Sequence, residues 1–384
     1  MRPIGVAILG STGSIGRQTL DVIRSLPDSF RVVALSAGRN VTLLEEQARE
    51  FQPELICSER EADYLRERIG GNGIRAEWAE MEEMAAHPAV DVVVVGTVGA
   101  AGLAPSLAAA RAGKAIAIAN KEVLVMAGQI VTAEARRHGA ELRPVDSEHS
   151  AIWQCLWGET AESVDRLIIT ASGGALRDLP PDELERVTAE QALRHPNWQM
   201  GKKITVDSAT LLNKGLECIE AHWLFDIPYE RIEVLLHRES IVHSLVEFVD
   251  GSVKAQLGVP DMRLPIQCAL TYPDRLPGAD VPRLDLKTLG TLTFGIPTAG
   301  RYPCLALALE AGRRGGTAPA ALAAADEVAV GHFITGHIAF GDIPRAIEDT
   351  VSADRHIADP SLEELLEADR RARVYAEDWV SAKA

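Results

Sequence analysis

Ile4-Gly5-Val6-Ala7-Ile8-Leu9-Gly10-Ser11-Thr12-Gly13-Ser14-Ile15-Gly16 couples an unbroken apolar or small run to three glycines spaced three apart. A run without polar alternation reads as a strand buried on both faces, the kind that parallel sheets contain. Glycines directly after such a strand let the backbone turn tightly and approach a pyrophosphate at the N-terminus of the next helix. That helix is predicted over Gln18 to Leu26 from apolar residues at 20, 22, 23 and 26. Gly10, Ser11, Thr12, Gly13, Ser14, Ile15 and Gly16 thus form a GxxGxxG variant of the dinucleotide fingerprint, a candidate nucleotide site with a merely tight turn as the alternative.

Arg31 to Ser36, Leu55 to Cys57, Val90 to Val95 and Ala115 to Ala119 read as further buried strands, with a helix at Leu43 to Phe51. Strands alternating with helices predict a Rossmann-like, doubly wound parallel sheet for residues 1–146. The second strand ends at Gly38-Arg39-Asn40, where NAD-specific sites place an acidic residue on the ribose hydroxyl. An arginine there suits a 2′-phosphate, which favours NADP(H); a plain surface arginine is the alternative. Asn120-Lys121-Glu122 ends a later strand, at the sheet edge where ligands bind in such folds, with a solvated lysine as the alternative for Lys121.

Pro144-Val145-Asp146-Ser147-Glu148-His149 sets two carboxylates two residues apart. At a strand end both would share one face; equally, Asp146 could cap a helix that begins near Ser147. Further on, Asp207 to Glu217 places Asn213, Lys214 and Glu217 on one face if that stretch is helical. Carboxylates meeting in one place repel unless a cation sits among them, and an all-oxygen set suits Mg²⁺ or Mn²⁺. Neutralising one of them is expected to relieve repulsion in the metal-free protein. His195-Pro196-Asn197-Trp198-Gln199-Met200-Gly201 reads as a loop with a large aromatic, able to close over a substrate or to pack back onto its own domain. Ser172-Gly173-Gly174, Ser208, Asn213 and Lys214 supply donors of the type a phosphate needs.

The chain has 384 residues and a formal charge of −16, which argues against a nucleic-acid partner. Five cysteines without a Cys-x-x-Cys suggest neither a disulfide framework nor a zinc knuckle. No stretch approaches the roughly 18 uninterrupted apolar residues of a membrane span, and Ile4 to Leu9 stops too soon for a signal core. A cytoplasmic location without membrane contact is expected. Mixed strands and helices predict a central α+β domain over 147–273, a proline-rich linker over 274–298, and a C-terminal helical domain over 299–384. Helices are expected around 182–194 and 209–225.

In order, the glycine turn, Asn120-Lys121-Glu122, Val145-Asp146-Ser147-Glu148-His149, Ser172-Gly173-Gly174, His195-Pro196-Asn197-Trp198-x-Met200-Gly201 and Asp207-Ser208-Ala209-Thr210-x-x-Asn213-Lys214-Gly215-Leu216-Glu217 closely resemble the 1-deoxy-D-xylulose 5-phosphate reductoisomerase family. The resemblance implies NADPH- and metal-dependent conversion of that sugar phosphate to 2-C-methyl-D-erythritol 4-phosphate, in the non-mevalonate route to isoprenoids, by a homodimer with its dimer contact in the central domain. It implies one divalent cation per subunit, Mg²⁺ or Mn²⁺ with Co²⁺ as an alternative, on Asp146, Glu148 and Glu217. Those three with Lys121 would form the catalytic set. Lys121, Ser147, Glu148 and Glu217 would meet the substrate's oxygens, and Ser172, His195, Ser208, Asn213 and Lys214 its phosphate. Trp198 would close over it. NADPH would contact the glycine turn, Gly38, Arg39, Asn40, Asn120, Lys121, Glu122, Met200 and Gly201. The chain departs from the family pattern at Arg238-Glu239, Ala175-Leu176, Ala323 and Asp326.

Two other readings compete. A semialdehyde-type dehydrogenase would need a cysteine nucleophile, for which Cys155 is the candidate; a nucleotide-sensing regulator would need no carboxylate cluster. A charge-assisted contact to phosphate is worth about 1.5–3 kcal/mol, so Arg39→Ala should erode the preference for NADPH over NADH by roughly 10- to 100-fold. Steady-state kinetics with both cofactors check this, and undiminished discrimination would show that another residue reads the phosphate.

Overall fold

The computed structural model describes residues 2–60, 62–68, 74–278, 281–298 and 300–383. Residues 1, 61, 69–73, 279, 280, 299 and 384, which fall in the expected domains and linker, lie outside the described residues. In chain order the first elements are β1 (Ile4–Leu9), α1 (Ser14–Ser25), β2 (Phe30–Ala37), α2 (Val41–Phe51), β3 (Leu55–Ser58), α3 (Ala62–Arg68), β4 (Glu77–Trp78), α4 (Met81–Ala86), β5 (Val92–Val95), α5 (Leu103–Arg111), β6 (Ala115–Ile118), α6 (Lys121–His138), β7 (Glu141–Pro144) and α7 (Ser147–Leu156). There follow β8 (Val164–Ala171), α8 (Ala189–Ala192), α9 (Lys202–Thr210), α10 (Leu212–Phe225), β9 (Ile232–His237), β10 (Val242–Phe248), β11 (Val253–Leu257), α11 (Arg263–Thr271), α12 (Leu286–Leu289), β12 (Phe294–Gly295), α13 (Pro303–Arg314), α14 (Ala318–Ile334), α15 (Asp342–Ala353) and α16 (Leu362–Lys383).

One compact unit comprises Met1–Val123, Gln129–Ser150 and Asp261–Pro282. Its strands form a sheet in the order β4-β3-β2-β1-β5-β6-β7, with every described neighbour pair parallel. This is the doubly wound sheet that the apolar runs predict. Its strand order reverses between β1 and β5, where such sheets bind ligands. Ile8, Leu35, Ile56 and Val94 pack with Leu20 and Leu44 from the helices. Ile266, Ala269 and Leu270 of α11 complete that core, so a segment late in the chain returns to the first sheet.

The other unit comprises Leu124–Gly128, Ala151–Pro260 and Arg283–Ala384. Its sheet runs β11-β10-β8-β9-β12, antiparallel except between β8 and β9. Ile152, Leu167, Ile169, Cys218 and Val246 form the core beneath it. The last four helices, α13 to α16, all lie within 299–384, where a helical domain is expected, and α14 is buried along most of its length against α15 and α16.

Three local readings change. Asp146 enters a helix: its Oδ1 accepts from the Ser147 amide at 3.0 Å and its carbonyl from the Ser150 amide at 2.8 Å, so the capping alternative holds and the shared strand face does not. The region 182–194 holds only a 3-10 turn at Pro181–Arg186 and the short α8, which starts afresh at a Thr188 cap. The proline-rich stretch 274–298 contains α12 and β12, the latter paired with β9.

A Cβ on Gly16 would lie 2.4 Å from both the Gly10 carbonyl oxygen and Ser11 Cα, which are backbone atoms that cannot rotate away. Gly16→Ala should therefore destabilise the protein by about 1–3 kcal/mol, as overpacking typically does. A denaturant titration measures it, and an unchanged midpoint would mean that α1 is free to shift.

Candidate active site

The switch point between β1 and β5 is closed by glycines. Gly10 has φ +87°, and a Cβ there would meet the Gly96 carbonyl oxygen at 2.7 Å. Gly13 is the N-cap of α1 and supplies no side chain, which leaves the first amides of the helix for an anion. Ser11 faces inward: its hydroxyl donates to Gln47 Oε1 at 2.7 Å, and Gln47 Nε2 donates back to the Ser11 carbonyl at 3.0 Å. Gln47, which the sequence reading passed over, thus holds the turn from α2. Asn40 caps α2 by accepting from the Leu43 amide at 3.1 Å, while Arg39 beside it is exposed.

Asn120 caps α6 and donates to Gly99 O at 2.9 Å and Thr97 Oγ1 at 3.2 Å, tying the loop after β5 to the helix. Lys121, in the first turn of α6, sends its ammonium to Asp146 Oδ2 at 2.6 Å. Glu148 lies in the first turn of α7, where the helix dipole favours negative charge, and Ser147 Oγ donates to its Oε2 at 2.6 Å. Carboxylate oxygens of Asp146 and Glu148 lie within 4.8 Å of each other. Two carboxylates that close gain from a positive charge beyond Lys121, and oxygen donors of this kind fit Mg²⁺ or Mn²⁺.

In the second unit, Ser172 follows β8, and Gly173 and Gly174 take φ of +82° and +72°. A Cβ on Gly174 would lie 2.5 Å from Ala209 Cα, so the Ser-Gly-Gly turn presses on the end of α9 beside Ser208. Leu211, at φ +56°, turns the chain directly into α10. There Asn213 Nδ2 and Lys214 Nζ each donate to Glu217 at 2.5 Å. The offsets of three and four read from the sequence are thus realised. Ser172 Oγ is 2.9 Å from His195 Nε2, which brings these two predicted phosphate residues together. Trp198 is partly buried with its ring 6.1 Å from that of His243; Met200 is partly buried and Gly201 exposed.

The departures from the family pattern have structural roles. Asp326 is buried in α14 and pairs with Lys203 of α9, which also bonds Asp207 at 2.7 Å. Arg238 pairs with both oxygens of Asp178, Glu239 accepts from Thr293, and Leu176 is buried with its carbonyl bonded by Arg301. Ala323 is a buried small residue of α14. Cys155 is also buried, and burial pushes its thiol up to about 11, so it is not a thiolate at neutral pH. That removes the nucleophile the semialdehyde reading requires.

A parallel sheet whose first strand runs through a glycine turn into a helix defines the class of dinucleotide-binding α/β folds. Within that class the chain belongs to the 1-deoxy-D-xylulose 5-phosphate reductoisomerase family. The family's model matches residues 6–128, and models of reductoisomerase C-terminal domains match 142–225 and 257–375. The chain is 54% identical over 373 residues to the reductoisomerase of Pelotomaculum thermopropionicum, covering 96% of each. It is 53% identical to that of Bacillus cereus strain Q1, covering 98% of this chain and 99% of the other. A crystal structure of the reductoisomerase with NADPH, fosmidomycin and magnesium is 42% identical, with TM-score 0.91 over 98% of each chain. The Zymomonas mobilis enzyme with NADPH is likewise 42% identical, with TM-score 0.91 over 99% of each.

The Lys214 and Glu217 side chains are 5% and 0% exposed, so for Glu217 the loss of this pair weighs against any relief of carboxylate repulsion. Removing one member of a buried pair strands the other, at about 3–5 kcal/mol when nothing replaces it. Glu217→Gln keeps one acceptor, so metal-free protein should lose part of that amount in a thermal melt. A higher midpoint would restore the repulsion view.

Proposed function

We propose that the protein converts 1-deoxy-D-xylulose 5-phosphate to 2-C-methyl-D-erythritol 4-phosphate, oxidising NADPH with a divalent cation present. The family membership supports this, and the observation that carries it at the level of residues is the Asp146 and Glu148 pair at the start of α7, within 4.8 Å. Asp146, Glu148 and Glu217 are the proposed cation ligands, supported by their oxygen donors and by the family motifs that contain them. When bound, the cation supplies Lewis acidity to the substrate's carbonyl and hydroxyl oxygens while its carbon skeleton rearranges.

The chain's own residues do the rest. Lys121 and Ser147 hold substrate oxygens, and they also bond Asp146 and Glu148 respectively. Ser172, His195, Ser208, Asn213 and Lys214 bind the phosphate by donated hydrogen bonds and one fixed charge. The glycine turn and the first amides of α1 take the NADPH pyrophosphate, with Arg39 on its 2′-phosphate and Asn120, Glu122, Met200 and Gly201 nearer its other end. Residues 195–201 close over the substrate and keep water out, so that NADPH, when bound, would supply hydride to the aldehyde left by the rearrangement while a proton reaches its oxygen. Exposed Val253 and Phe294 on the edge strands β11 and β12, with Ile296 just beyond β12, support a homodimer through the second unit. Among the described residues no helix is long and apolar enough to cross a membrane. A cytoplasmic site of action fits the small phosphorylated substrate.

NADPH oxidation should require both 1-deoxy-D-xylulose 5-phosphate and a divalent cation. It should stop with chelator and return when Mn²⁺ is added in excess. Oxidation that ignores the chelator would overturn the metal part of the reading, and none under any condition would favour a nucleotide-sensing role.

A further inference from the structure

We propose that Asn197 and Arg177 are positioning residues that couple the Ser172 turn to the Trp198 segment through one shared acceptor, the backbone carbonyl of Arg238. This deepens the reading of 195–201 as a lid and rests on it. Between α8 and α9 the chain has no regular element, so its conformation depends on side-chain bonds. Asn197 Nδ2 donates to the Arg238 carbonyl at 2.7 Å and lies 2.8 Å from Ser240 Oγ. Arg177 Nη1 donates to that same carbonyl at 3.0 Å and to the Ser172 carbonyl at 2.9 Å.

A second route runs through His195. Its Nδ1 accepts from the amides of Asn197 at 3.2 Å and Trp198 at 2.9 Å, so Nε2 carries the proton and donates to Ser172 Oγ. Ser172 Oγ also accepts from the Gly174 amide at 3.1 Å, which directs its own O–H outward, the orientation an anionic oxygen needs. Phosphate held at Ser172 would thus favour the lid conformation that these bonds define.

The acceptor turn is itself firmly held. His237 Nε2 accepts from the Ile241 and Val242 amides at 3.2 and 3.1 Å, and Glu239 accepts from the Thr293 amide at 3.1 Å. Ser240 takes φ +53°, a conformation that persists only where surrounding bonds enforce it. The Arg238 guanidinium contributes differently. It pairs with Asp178 at 2.6 Å, but the two side chains are 49% and 68% exposed, so salt screens them. Arg238 serves the lid through its carbonyl, and its side chain only braces the turn.

The test is amide hydrogen exchange across residues 195–201 in the ligand-free full chain, beside KM, kcat and a thermal melt. Asn197→Ala removes the donor, and Asn197→Asp keeps the shape without it. Both should speed exchange of the 197 and 198 amides by about tenfold, the loss of one hydrogen bond, with exchange elsewhere and the melt unchanged. KM for the sugar phosphate should rise more than kcat falls. Arg177→Ala should speed the same exchange, whereas Arg238→Ala, which keeps the carbonyl, should change it less than about twofold. Parental exchange in both Asn197 variants, or faster exchange spread through the whole chain, would overturn the proposal. Because exchange needs no turnover, its outcome stands apart from whether the parent protein reduces the substrate.

Discussion

Carboxylates held close together or out of water must be met by positive charge. The protein meets this demand twice with a lysine one helical turn or less from the helix start. Lys121 opens α6 and reaches Asp146 at 2.6 Å; Lys214 lies near the start of α10 and reaches Glu217 at 2.5 Å. Both lysines are buried, so neither pair is a screened surface contact whose value would be near zero. The same side chains are those proposed to meet substrate oxygens and phosphate. Through those bonds the lysines hold the acidic groups in place.

The glycines solve the complementary problem of bringing backbone close to backbone. Gly10 and Gly96 meet where β1 and β5 diverge, and Gly16 lets α1 start against the turn. Side chains at these positions would push the helix N-terminus away from the one place where its amides can face a pyrophosphate. In the second unit Gly174 plays a similar part, allowing the turn after β8 to rest on the end of α9. Fold and site are thus set by the same few close approaches.

Much of this was legible in the sequence because it is local. Apolar runs such as Val92–Val95 between turn signals favour strands buried on both faces, and Asn213, Lys214 and Glu217 stand at the offsets that share a face once their stretch is helical, as it is. What escaped was non-local or balanced between two local forms. Nothing near Ile266 or Leu270 says that α11 packs into the first sheet, and β12 pairs with the edge of β9 within a stretch whose prolines mark it as a linker. Asp146 and Glu148 fit a strand end and a helix start equally until the Ser147 and Ser150 amides decide between them. Gln47, Arg177 and Asn197 act on backbone far away in the chain, and no spacing rule points to such partners.

The central claim is that clustered carboxylates at the start of α7 help hold a divalent cation. Glu148 tests it best, since Gln in its place keeps an oxygen for the Ser147 hydroxyl and leaves the buried Lys214 and Glu217 pair intact. The measurement is a thermal melt with and without Mn²⁺ for the parent and for Glu148→Gln. A ligand at 100 times its dissociation constant stabilises by about 2.7 kcal/mol, so the parent midpoint should rise clearly while that of the variant rises far less. An equal rise in both proteins would contradict the account.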